Sequence, residues 1–278
     1  MKKLKNILIS IFVLLITLNA LLQYKLIAYL KTISNIIYLD SVIMLIIGYF
    51  LAVLIAYIVH LIAFGSTDED IKKETGFFLI EIFKFLIQNH LISLIAPDFI
   101  LAKFFKTKFK ENEYYEEFVE KSNYLNVILV VLIAFINMFS SINGMFIFKS
   151  FFAFHIISRI FEITYAFYND ITDDENNSGL KSNQRISLAV NSYFEIIILG
   201  GIFYYLFSDQ LLKNLGQNNF IDYLIYSGTV STFNFGFNED TTVQLKTITL
   251  IQVFSSLNLV ILSVAKYVSE KNNGEEED

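Results

Sequence analysis

The 278-residue chain contains no cysteine and no tryptophan, a single proline (Pro97) and three histidines, each in a separate apolar stretch. Without cysteine, disulfides, thiolate metal sites and cysteine nucleophiles are excluded together, and nothing constrains the redox compartment. His60, His90 and His155 show no metal-ligand spacing, and no H-E-x-x-H pattern occurs, so they read as core or interface residues. The P-loop, G-x-S-x-G and dinucleotide patterns are missing too, so catalysis has no candidate residues and the chain reads as a non-enzyme. Charge is scarce: Asp, Glu, Lys and Arg make up 17% of the residues. The net charge of −6 is collected in short polar patches, which excludes a basic nucleic-acid surface.

What fills the chain is hydrophobic: 55% of residues, with 29 Phe and 16 Tyr, and a mean hydropathy of +0.54. Uninterrupted apolar stretches near the length that spans about 30 Å of hydrocarbon recur, so the expected class is an all-α integral membrane protein, with the lipid bilayer as its first partner. The bias toward Ile, Phe, Lys, Asn and Tyr suggests an AT-rich bacterial source. The N-terminal Met1-Lys-Lys-Leu-Lys precedes a long apolar stretch with Leu18 at the −3 position of any cleavage at Ala20, which favours an uncleaved first helix over a signal peptide.

The expected spans are residues 7–30, 42–64, 124–141, 145–168, 186–207 and 247–268. Residues 77–105 are also apolar, but Glu81, Lys84, Gln88, Asn89, His90 and Pro97 suit an interfacial or re-entrant segment better than a clean span. Residues 103–123, with five Lys and five Glu, form a charged cytoplasmic helix or loop. Three lysines at the start place residue 1 in the cytoplasm by the positive-inside rule. Parity over about six spans then puts residues 169–185 inside as an acidic loop, the segment around Asn234 outside, and the acidic tail 269–278 inside. The expected layout is an N-terminal transmembrane region over 1–168, the loop, a C-terminal module over 186–268 and the tail, in a multi-pass cell-membrane protein with both termini cytoplasmic.

Between the last two spans lies Thr229-Val-Ser-Thr-Phe-Asn-Phe-Gly-Phe237, preceded by residues 220–229, apolar but too short to cross. This segment resembles the potassium-channel filter pattern T-x-T-T-V-G-Y-G-D. Thr229, Ser231 and Thr232 fall on the threonines, Phe233 on the valine, Phe235 on the aromatic and Gly236 on the second glycine. Asn234 replaces the first glycine and Phe237 the aspartate. The stretch 191–268 thus resembles the pore module of the tetrameric potassium-channel superfamily, two helices flanking a re-entrant pore helix and filter. The resemblance implies a homotetramer conducting monovalent cations, K⁺ or Na⁺ being the permeant species and no cofactor being needed. Backbone carbonyls of residues 232–235 would replace the ion's water shell, with Glu239 and Asp240 as outer-mouth charge. Asn is among the non-glycine residues that best tolerate positive φ, so Asn234 is the least damaging common substitution for the first glycine on backbone grounds.

Asn218 or Asn219 is suited to cap the short helix, whose negative dipole end favours a cation. A surface helix in a loop is the other reading. On the last span, Gln252, Ser255, Ser256, Asn258 and Ser263 recur at helical spacing. Gln252, Ser255 and Asn258 either line an inner cavity or hydrogen-bond to neighbouring helices. No arginine ladder for voltage sensing is present, because 145–168 carries only Lys149 and Arg159. Arg159 and Glu162, with Arg185 and Glu195, suit an intramembrane ion pair joining the fourth span to the fifth. Asp173, Asp174 and Glu175 lack EF-hand spacing and read as solvated. Two other functional classes remain: a non-conducting scaffold or regulatory protein that retains channel architecture, and a transporter or membrane enzyme, for which these ionisable sets are the only material.

Overall fold

A computed structural model describes residues 37–65, 96–109, 115–139, 146–172, 180–207, 219–237, 242–260 and 268. The described residues form seven helices: α1 (Ile37–Gly65), α2 (Pro97–Phe109), α3 (Tyr115–Phe139), α4 (Phe146–Thr172), α5 (Ser182–Leu206), α6 (Phe220–Ser231) and α7 (Val243–Leu257), and no strand appears among them. The chain divides into two compact units, Met1–Ile47 and Gly48–Asp278. Of the first, only residues 37–47 are described, all helical. The second holds everything that follows.

Among the described residues, three helices are long and apolar enough to cross a membrane: Ile43–Ala63 within α1, Tyr115–Met138 in α3 and Ser182–Leu206 in α5. They coincide with the expected spans 42–64, 124–141 and 186–207. α3 starts nine residues early because the charged stretch before Tyr124 is itself helical, with Glu117 and Lys121 paired one turn apart. α4 has the length, 27 residues, but carries Lys149, Arg159, Glu162 and Asp170 and is not one of the three. The described part of α7 is a shorter apolar helix, Leu245–Val260. The expected first span, most of 77–105, the tail, Glu239 and Asp240 lie outside the described residues.

Local signals explain the helix ends. Pro97 opens α2 at the position where a missing N–H is harmless. Ser158 of α4 then caps α2 from the side, its Oγ accepting from Asp98 N at 2.6 Å and Phe99 N at 3.3 Å. One turn away, His155 Nδ1 lies 2.7 Å from the Asp98 carboxylate. Gln184 reaches back to Lys181 N at the start of α5, and Thr242 Oγ1 caps α7 through Leu245 N. Beyond Leu257, α7 widens into a π turn over 258–260.

Within the second unit, α5 is the central element. It packs on α3, α4, α6 and α7, most extensively on α6. Ile163 of α4, Ile196 of α5 and Leu259 beyond α7 form one buried apolar cluster. Gly200 and Gly201 on α5 make the close approach possible. A Cβ at Gly201 would stand 3.0 Å from Leu224 Cα of α6, and one at Gly200 would stand 2.7 Å from Gln252 Oε1 of α7.

Candidate functional site

The segment 219–237 is built as a capped helix followed by an exposed loop. Asn219 Oδ1 accepts from Asp222 N at 3.0 Å, fixing the start of α6. At the other end the helix closes with a Schellman motif: Asn234 N donates to Thr229 O at 2.8 Å and Phe233 N to Val230 O at 3.0 Å. The residue at the left-handed position is Phe233, at φ 61°, and among the described non-glycine residues it alone has positive φ. Asn234, at the place of the filter pattern's first glycine, is not the left-handed residue. The motif places its left-handed residue two positions past the last helical residue, Ser231, and that position is Phe233.

The matched residues separate into two groups. Thr229 and Ser231 belong to the helix; Thr229 Oγ1 bonds Tyr226 O at 2.7 Å, and Ser231 is fully buried. Thr232, Phe233, Asn234 and Gly236 are exposed and Phe235 half-buried. Thr232 Oγ1 donates back to the carbonyls of Gly228 and Thr229. The carbonyls of Gly228, Thr229 and Val230 are therefore engaged in the helix end, and Ser231 O accepts from Tyr193 OH at 3.2 Å. Among the described residues, no group donates to the carbonyls of Thr232, Phe233, Asn234 or Phe235. Phe235 and Phe237 meet edge to face, with Lys246 of α7 5.9 Å from the Phe237 ring.

Gln252 holds α6 against both flanking helices. Its Nε2 donates to Ser231 Oγ and Ser227 Oγ, both at 2.8 Å, and to Ser227 O at 3.0 Å, while its Oε1 accepts from Tyr204 OH at 2.7 Å. Ser227 Oγ donates its own hydrogen bond to Ile197 O at 2.7 Å. All of these side chains are buried, Gln252 at 2% exposure. Such a network is favourable only when its members are satisfied, and this one joins α5, α6 and α7 through a single amide. Ser255 accepts from Thr164 Oγ1 of α4 at 2.9 Å and donates to Ile251 O. Asn258 Nδ2 donates to Thr164 O at 2.9 Å. Gln252, Ser255 and Asn258 are thus buried inside the chain and bonded to neighbouring helices. The exposed face of α7 is Val243, Thr247, Leu250, Ile251 and Phe254.

A second polar cluster joins α4 to α5. Arg159 Nε and Nη2 donate to the two carboxylate oxygens of Glu195 at 2.7 and 2.9 Å, and Nη1 to Glu162 at 2.5 Å. This is the fork geometry for which a guanidinium is suited. The expected ion pair between these helices is present as Arg159–Glu195, and Arg185 donates Nε to Leu180 O at 3.0 Å. The described residues contain no group of three or more His, Asp or Glu able to hold a metal.

The sequence reading missed Tyr204, Ser227 and the Gly200–Gly201 pair. A Gly-Gly step inside an apolar helix was the available signal, because a conformationally costly pair there marks a close approach. The chain matches no protein-family model, no curated protein and no solved structure.

Proposed function

We propose that the chain is a channel-like membrane protein in which residues 186–268 form a pore module and four copies surround a pathway for monovalent cations. In this reading about six helices span the bilayer, α6 and the loop after it re-enter from the outer face, and both termini are cytoplasmic. The observation that carries the proposal is the buried amide of Gln252. It holds a 12-residue helix between two apolar helices, and the following loop offers four consecutive carbonyls, from Thr232 to Phe235, without donors among the described residues. The C-terminal end of α6 adds about half a negative charge beside that loop, which favours a cation there. The exposed face of α7, with Thr247, Leu250 and Phe254, is the side that a pore axis or a neighbouring copy would meet.

The test is the oligomer mass of the purified protein together with Rb⁺ and Na⁺ flux in liposomes. A tetramer carrying flux supports the proposal, and a monodisperse monomer without flux removes it. The second reading, a non-conducting scaffold with channel architecture, is favoured by Phe233 at the left-handed position and by Phe237 in place of a carboxylate. Asn234→Gly separates the two readings. A latent pore gains potassium selectivity with this change, whereas a scaffold passes no ion in either form.

A further inference from the structure

Away from the loop, α2, α3, α4 and α5 line a cavity of about 140 Å³. Part of its wall is polar and uncharged, from Ser122 and Asn123 of α3 and Ser192 of α5, and part is apolar, including Val119, Ala166 and Phe167. We infer that this cavity binds a neutral amphiphile, with a hydroxyl-bearing head group of glycerol size against Asn123 and the first methylenes of its chain against the apolar wall.

The charged side chains that also line the space are engaged within the chain. Arg159 is held by Glu195 and bonds Glu162, Lys106 lies 3.8 Å from the same Glu162, and Arg185 donates to Leu180 O. An ionic ligand would compete for groups already paired and would lose its own hydration. What stays open is neutral. Asn123 Nδ2 donates to Ser192 Oγ at 2.9 Å, but Asn123 Oδ1 is buried and accepts from no donor. A buried amide oxygen without a donor is destabilising, and the O–H of a ligand removes that penalty. Beside it, Ser122 brings a hydroxyl able to donate and to accept. One turn further along α3, Asn126 is 3% exposed and its Nδ2 is buried without an acceptor. This face of α3 therefore carries an acceptor and a donor that the chain itself does not pair. Size and setting narrow the ligand further. A cavity of roughly 150 Å³ takes benzene, so this one takes a head group no larger than glycerol. Val119, Ala166 and Phe167 favour a ligand with apolar carbon attached, which free glycerol lacks. α3 and α5, which carry the polar lining, are long and apolar enough to cross a membrane, so an acylated ligand has access from the bilayer.

Native mass spectrometry of the full chain in detergent tests this, with monooleoylglycerol, methyl oleate, oleate and glycerol as probes. The expected result is retention of monooleoylglycerol at concentrations at least about tenfold below those needed for methyl oleate or oleate, with no displacement by equimolar glycerol. Equal or stronger retention of methyl oleate overturns the part given to the hydroxyls, and equal or stronger retention of oleate overturns the neutral head group. Displacement by glycerol makes the site one for a free polyol and overturns the amphiphile. Two variants attack the site from opposite sides. Asn123→Leu removes the open acceptor at similar volume and is expected to bring retention of monooleoylglycerol down to that of methyl oleate. Ala166→Phe fills the apolar part and is expected to lower retention of both, whereas Phe135→Ala on the exposed face of α3 changes neither. If Asn123→Leu does not fold, the four probes and Ala166→Phe decide: a folded, monodisperse Ala166→Phe protein that retains monooleoylglycerol as well as the unaltered chain does overturns the site.

Discussion

Phe233 sits where a helix ends in a left-handed residue, a position that glycine fills without strain and that an L side chain fills at a cost of about 1–2 kcal/mol. The residue is 42% exposed, so burial offsets only part of that strain. Phe233→Gly is therefore expected to be more stable than Phe233→Ala by about 1 kcal/mol, both variants losing the same ring. Equal thermal midpoints for the two in detergent would mean that φ at this residue is not held positive. Gln252 shows the opposite balance, because its amide is satisfied on both sides and its removal strands several groups at once. Gln252→Leu leaves Ser231, Ser227 and Tyr204 without their shared partner, and the expected loss is about 2–3 kcal/mol, read from the same midpoints. Ser227 still reaches Ile197 O, so Ser227→Ala is expected to lose less than Gln252→Leu.

At the scale of elements, helix existence and approximate limits were legible because hydropathy depends on neighbours in sequence. The stretches 42–64 and 186–207 each became a helix of matching limits, and Asn219 capped α6 as its side chain allows. Which face of α7 turns inward was not legible. The polar stripe Gln252, Ser255, Asn258 suits a wet cavity and an interhelical network equally well, and Thr164 and Tyr204, distant in sequence, settle how it is bonded in this chain. The site of the positive φ was hidden for a related reason. Residue preference favoured Asn234, but the place where α6 stops determined the outcome. Two element contacts give measurable consequences. Gly201→Ala places a methyl 3.0 Å from the Leu224 backbone, an overpacking expected to cost about 1–3 kcal/mol and to raise amide exchange throughout α6. Arg159→Gln leaves Glu195, wholly buried, without its fork, and its expected cost is about 3–5 kcal/mol. Replacing Arg159 and Glu195 together by methionine is expected to recover part of that loss, because no unpaired charge then remains at position 195 and Glu162 keeps Lys106 3.8 Å away.

For the whole molecule, the question is what covers the apolar surface that one copy leaves open. Phe135 on α3, at 61% exposure, and Phe254 on α7, at 65%, look alike in a single chain, and lipid would cover both in a monomer. The proposed pore treats them differently, because Phe254 belongs to the module and its helix face is available to the axis. The absence of cysteine makes this difference measurable, since any thiol introduced is unique in the chain. Thr247→Cys, Leu250→Cys and Phe254→Cys are each expected to react with a charged, water-soluble methanethiosulfonate in liposomes, and reaction at these positions is expected to reduce cation flux. Phe135→Cys, facing hydrocarbon, is expected to stay unmodified because a thiolate does not form there. Phe254→Cys is also expected to form a disulfide-linked dimer under mild oxidation, since copies around one axis bring like residues together. If the three α7 thiols are as unreactive as the thiol of the Phe135→Cys variant, with no cross-linked dimer, the exposed face of α7 is a lipid face. The chain then belongs to the scaffold reading, and the carbonyls of residues 232–235 serve no ion.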